Sequence, residues 1–77
     1  MIKYDYSKLK GRIKELNMTL NNFAEKLGIS EQTLHKKFNS QTYFTQEEVE
    51  KAMKIISVPL SKVQCYFFQK EIIKNNN

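Results

Sequence analysis

Apolar side chains recur along this chain at intervals of three and four residues, the spacing that lines one face of an α-helix. Leu9, Ile13 and Leu16 form the first stripe, and Phe23, Ala24 and Leu27 the second. Leu34 with Phe38 and then Val49, Ala52, Met53 and Ile56 supply two more. Polar signals fall where the helix ends belong. Asp5, Thr19 and Ser30 stand as N-caps, and Thr45-x-x-Glu48 reads as a capping box. Each has a bracketing apolar pair able to staple the entry of the chain: Tyr4 with Leu9, Met18 with Phe23, Ile29 with Leu34, Phe44 with Val49. After a break at Val58-Pro59, Ser61-x-x-Gln64 predicts a fifth helix with Leu60 and Cys65 as its staple. Gly11 lies inside the first helix at a cost of about 1 kcal/mol relative to alanine, which predicts a close packing contact there. The run YFFQKEII has neither helical nor strand periodicity, and residues 69–77 are expected to be the less ordered tail.

Five short helices in 77 residues predict one all-α bundle spanning residues 1–77. A chain of this size buries only about 60–65% of its unfolded surface, so one core is the ceiling. No apolar run approaches the roughly 20 residues of a membrane span, and MIKYDYSKLK has no hydrophobic signal region. A soluble, cytoplasmic protein with no membrane partner is expected. Cys65 is the single cysteine, so neither an intrachain disulfide nor a cysteine-cluster metal site can form, and it is expected to pack as a small hydrophobe. The inventory lacks a nucleophile–base pair, a glycine-rich phosphate loop and an acidic metal cluster. No enzyme, metal or cofactor is expected. The net charge of +5 is uneven: residues 1–44 hold eight basic and four acidic side chains, residues 45–77 five and four. That bias toward the first half suits a polyanionic partner.

The second and third helices carry the most specific pattern. From Met18 to Asn39 the chain reads MTLNNFAEKLGISEQTLHKKFN, two amphipathic segments joined at Gly28-Ile29-Ser30. Ala24 is small where the third helix crosses the second, Gly28 supplies a left-handed turn residue, Ile29 drops into the core and Leu34 anchors the third helix. With Phe23, Leu27 and Ser30, these positions fit the helix-turn-helix template, which holds a second helix out toward a DNA groove.

FAEKLGIS followed by TLHKKFN resembles the phage repressor and Cro superfamily of XRE type, the lambda-repressor-like fold. KLKGRIKE, YFTQEEVEKAMKII and YFF are similar to short Cro-like regulators of phages of Gram-positive bacteria, extending the resemblance over roughly residues 6–68. It implies a five-helix bundle, operator DNA as ligand, and a homodimer placing helix 31–38 of each subunit in successive major grooves, roughly 34 Å apart. It also assigns base reading to Glu31, Gln32, Thr33 and Lys36. Gln32 can pair with adenine, Lys36 donate to guanine and Glu31 accept from cytosine. Phosphate contacts would come from Thr19, Asn21, Asn22, Ser30, Asn39, Ser40 and Thr42, with Lys36 or Lys37 as charged support.

Three positions depart from that pattern. Leu20 replaces a common phosphate-clamping glutamine, Lys37 stands at an inward position that is usually aliphatic, and Glu31 brings negative charge to the first reading position. His35 is expected as a solvated histidine. Leu60, Val63, Tyr66, Phe67, Phe68, Ile72 and Ile73 exceed what one short helix can bury, which predicts a dimer interface in residues 58–73. The rival expectation is a protein-interaction module or antirepressor that binds a partner phage repressor, with Leu20, Glu31 and exposed aromatics as its interface. An antitoxin of similar fold is a third expectation.

Overall fold

The computed structural model describes residues 2–71. Helices α1 (Ser7–Glu15), α2 (Leu20–Leu27), α3 (Glu31–Phe38) and α4 (Gln46–Ile55) are followed by a 3-10 turn, Leu60–Lys62, that runs into the short α5 (Val63–Phe67). α2 packs on α3 and α4, while α5 closes the bundle against α1 and α4. The fold is the all-helical bundle expected, and its core is built mainly from the predicted stripes, with Leu16 only partly buried and Tyr6 and Phe67 joining from outside them. Leu9, Ile13, Phe23, Ala24, Leu27, Leu34, Phe38, Val49, Ala52, Met53 and Ile56 are all buried, and Met18, Ile29 and Phe44 pack against them.

The predicted caps hold α2, α3 and α4. Thr19 Oγ1 accepts from the Asn22 N–H while Asn22 Oδ1 accepts from Thr19 N–H, and Ser30 Oγ accepts from Thr33 N–H. Thr45 and Glu48 close the same reciprocal box over α4 at 2.9 and 3.1 Å. At the other ends, four helices terminate alike. In each, the N–H of a left-handed residue and the N–H after it reach back to free carbonyls of the last turn. Gly28 (φ 88°) fills that position after α2, but Asn17, Ser40 and Ser57, at φ 59°, 60° and 57°, fill it after α1, α3 and α4.

Three local expectations are corrected. Tyr6, not Asp5, is the N-cap of α1; Asp5 acts from one residue outside, its carboxylate accepting the Ser7 N–H at 2.8 Å. That hydrogen bonding to Ser7 holds the Asp5 carboxyl below its ordinary value. Gly11 meets nothing within 4 Å of where a Cβ would stand, so no close contact explains it. Ser61 does not cap the last helix, because Pro59 (φ −63°) already directs the chain into a 3-10 turn. Leu60 is left 53% exposed, so it does not staple to Cys65.

The C-terminal run forms a feature with no periodic signature. Phe67 enters the core, ring-edge against Phe44 at 5.1 Å and near Tyr6 at 6.2 Å. Beyond it the chain lies antiparallel to the N-terminus. Asp5 N–H donates to Gln69 O at 2.6 Å and Glu71 N–H to Lys3 O at 2.9 Å around a Tyr4–Lys70 bridge. Burial within this aromatic cluster pushes the Tyr6 phenol up to about 12. No helix among the described residues is long and apolar enough to cross a membrane.

Candidate functional site

Gly28 makes the α2–α3 turn by donating its N–H to the Ala24 and Glu25 carbonyls, while Ile29 N–H returns to Ala24 O. Ala24 is 1% exposed beneath the crossing, as its size predicts. Leu34 and Phe38 turn inward, leaving Glu31, Gln32, His35 and Lys36 in solvent on the outer face of α3. The helix-turn-helix scaffold is therefore present in full: Phe23, Ala24 and Leu27 from α2, Gly28 and Ile29 from the turn, Leu34 from α3.

The predicted base-reading residues divide. Gln32 and Lys36 are exposed, and among the described residues no hydrogen bond or ion pair engages their side chains. Thr33 is half-buried, its hydroxyl receiving a hydrogen bond from Ser30 Oγ at 2.9 Å. Glu31 is clamped. Its Oε1 accepts from Asn21 Nδ2 at 3.2 Å, across from α2, and its Oε2 lies 3.3 Å from His35 Nε2 one turn along α3. A carboxylate in the first turn also meets the positive end of the α3 dipole. The outer face thus begins with an oriented negative group spanning both helices, a cluster of Asn21, Glu31 and His35 that the sequence pattern did not join.

Among the predicted phosphate contacts, Thr19, Asn21, Asn22, Ser30, Asn39 and Thr42 are exposed. Two others are not available. Lys37 is 7% exposed, and its Nζ donates to Tyr43 O at 3.0 Å and lies 3.0 Å from Glu48 Oε1 and 5.5 Å from the Phe44 ring centroid. The inward position that is usually aliphatic here holds a lysine whose stem packs in the core and whose ammonium ties α3 to the cap of α4. Burial raises the Glu48 carboxyl, but the Thr45 N–H, the Lys37 ammonium and the Thr45 hydroxyl outweigh it and hold Glu48 below its ordinary value. Ser40 is 1% exposed, its Oγ accepting the Tyr4 N–H at 3.1 Å. Both residues are structural, not phosphate ligands.

The predicted dimer segment is also sorted by burial. Phe67 is 2% exposed and belongs to the core, since the aromatic cluster encloses it. Val63 and Tyr66 are partly buried, Leu60 and Phe68 about half exposed, and Ile72 and Ile73 lie outside the described residues.

Fold and site define a small all-helical protein with a helix-turn-helix whose outer face is headed by a carboxylate. The chain belongs to the family described as Protein of unknown function (DUF739), whose model matches residues 2–70, and not to a family named for the Cro or repressor type that its sequence resembles. Among solved structures it is similar to the solution structure of the modulator of repression (MOR) of the temperate bacteriophage TP901-1 from Lactococcus lactis. The two are 36% identical with a TM-score of 0.73, and the match covers 86% of this chain and 89% of that one. None of the curated proteins matches the chain.

Proposed function

We propose that this chain is a phage regulatory protein that acts on a repressor protein of the same phage, docking through the outer α2–α3 face. The observation that carries this reading is the match to a modulator of repression at 36% identity over most of both chains. Local chemistry supports it. Glu31 places an oriented carboxylate where a DNA-reading helix meets phosphate-lined grooves, and like charges there oppose the approach of DNA. The same group suits a basic surface, which DNA-binding repressors carry. Lys37 and Ser40 are engaged inside the fold, so two expected phosphate ligands are missing from the face. Leu20 adds partly buried apolar surface in the first turn of α2, where a phosphate clamp would otherwise stand.

The direct test is footprinting of the repressor on its operator with increasing amounts of this chain. The expected result is a change in repressor protection with no new footprint from the chain itself. A footprint made by the chain alone, with repressor occupancy unchanged at low coverage, would overturn the proposal.

A second reading retains direct operator binding as a homodimer. It is favoured by one feature, the exposure of Gln32 and Lys36 on an α3 held in helix-turn-helix geometry. Under that reading the chain's DNA affinity falls steeply with salt, reflecting several phosphate contacts.

A further inference from the structure

The basic character of α1 is not absorbed by the functional reading. Leu9 and Ile13 turn inward, and the outward side of the helix presents Ser7, Lys8, Lys10, Gly11, Lys14 and Glu15 to solvent. Helical spacing sets the cations in two rows, Lys10 with Lys14 and Lys8 with Arg12, each pair one turn apart. The rows splay to opposite sides. Lys10 Nζ stands 5.0 Å from the Phe38 ring centroid at the end of α3, and Lys8 Nζ 5.6 Å from that of Tyr66 on α5. Arg12 is held, its Nε donating to Ile56 O at 3.0 Å and its Nη1 paired with Glu15 at 3.3 Å. Among the described residues no ion pair engages Lys8, Lys10 or Lys14. Between the rows lie only Ser7 and Gly11. A Cβ on Gly11 would meet nothing within 4 Å, and its φ is not left-handed, so neither packing nor a turn accounts for a residue that weakens a helix. Bare, exposed helix backbone between two rows of cations suits a ligand that must come close.

Neighbouring charges do not cancel the patch. Lys70 shares a cleft with Ser7 and Lys8, and Lys3 shares one with Phe38 and Glu71, while α5 brings no charge at all. The bordering acids are Asp5, turned onto the Ser7 N–H, Glu15, taken by Arg12, and Glu71. Composition then selects the occupant. The outer face of α1 carries no apolar side chain, whereas the buried centre of a protein interface is apolar. A helix lying on a membrane needs its apolar face free, and here that face is in the core. A second copy docked face to face would bring like charge. The sugar–phosphate backbone of nucleic acid remains, since its protein interfaces are polar and strongly positive. Lysine meets phosphates of any sequence as a point charge. The nine residues of α1 span about 13 Å, the rise of about four phosphates along one duplex strand.

We propose that the outer face of α1 seats a nucleic-acid backbone over Gly11, between Lys8 on one side and Lys10 with Lys14 on the other. The contact is loose and independent of sequence, lies apart from the α2–α3 face and does not rest on the repressor reading. Three free lysines leave no footprint, but they keep the chain on DNA, where a repressor is also found. Fluorescence anisotropy of a labelled duplex of mixed sequence, titrated with the full chain over a range of salt, measures it. The parent should bind with a dissociation constant of about 10–100 µM at low salt and a log–log salt slope of about −2.7, from three lysines at about 0.9 each. Lys10→Gln/Lys14→Gln should bind about tenfold more weakly, with a slope of about −1, and keep its affinity for repressor. Gly11→Gln adds a side chain and no charge. It should bind the duplex about threefold more weakly while melting no lower than the parent. Circular dichroism establishes that each variant keeps the fold. A parent slope near zero, or a Gly11→Gln variant that binds like the parent, overturns the proposal. If Gln32→Ala/Lys36→Ala loses the duplex and both α1 variants keep it, the contact lies on α3 and the proposal fails. If the parent ignores the duplex and Lys10→Gln/Lys14→Gln loses repressor affinity, the occupant is an acidic face of the repressor and the proposal fails.

Discussion

Replacing Lys37 by methionine tests the assignment of a charged residue to the interior. Methionine keeps the length of the stem and its packing beside Phe44 but removes the ammonium. Three contacts are lost: the ion pair to Glu48 Oε1 at 3.0 Å, the hydrogen bond to Tyr43 O at 3.0 Å and the weaker cation–π approach to the Phe44 ring at 5.5 Å. Hydrogen bonds to charged groups contribute about 1.5–3 kcal/mol, and breaking one partner of a fully buried pair costs about 3–5 kcal/mol. Glu48 retains 19% of its side-chain exposure and keeps the Thr45 N–H, so solvent and the cap recover part of that loss. A destabilisation of about 2 kcal/mol follows, or roughly 10 °C in the midpoint of a domain this size. Thermal and urea unfolding followed by circular dichroism at neutral pH measure it. Adding Glu48→Gln to Lys37→Met should cost less than the sum of the singles, since the orphaned carboxylate is removed with its partner. A Lys37→Met protein as stable as the parent would refute the clamp, because it would mean that desolvation of the pair cancels its attraction.

Gly11→Ala should raise stability by about 1 kcal/mol, read from the same melts, because nothing stands within 4 Å of the new methyl group and α1 gains a better helix former. Ser57→Gly should stabilise by about 0.5–1 kcal/mol by relieving a left-handed serine at φ 57°, while Ser40→Gly should destabilise despite φ 60°, because it deletes the acceptor of the Tyr4 N–H. Acid titration of stability tests Glu48. Its folded value is depressed, so its contribution is complete above the unfolded carboxylate value near 4.5 and is lost as pH falls through the folded value. Lys37→Met should shrink that acid-side loss, leaving the part due to Thr45.

What could be read from the sequence was whatever is encoded by nearest neighbours on a helix. The stripes from Leu9 to Ile56, the Thr45–Glu48 box and Gly28 all act within about four residues of themselves, and each is where periodicity placed it. Contacts between distant segments were not legible. Lys37 stands at an inward position of the pattern, but its partner was hidden, because Glu48 was already accounted for as a cap and the two lie eleven residues apart on different helices. The bond between Ser40 and Tyr4 spans 36 residues, and the Tyr4–Lys70 pairing is made of backbone groups, which carry no residue code. At the recognition face, Glu31 was singled out, but its hold on Asn21 ten residues earlier needed the observed crossing of α2 and α3. The separation of Phe67 from Phe68 was equally hidden. An alternation of inside and outside over two adjacent aromatics shows only once α5 is known to end at Phe67.

The central claim, that the outer α2–α3 face meets a repressor and not DNA, is most directly tested by reversing the charge at Glu31. Glu31→Lys breaks the bridge to Asn21 and puts a cation beside Gln32 and Lys36 at an exposed site, where the fold tolerates it. Affinities of parent and variant for the phage repressor and for operator DNA are measured side by side at two salt concentrations. The account predicts that the variant loses repressor affinity by about tenfold or more, while any affinity for DNA rises. A parent that binds operator DNA tightly with a steep salt dependence, and a variant whose repressor affinity is unchanged, would contradict it.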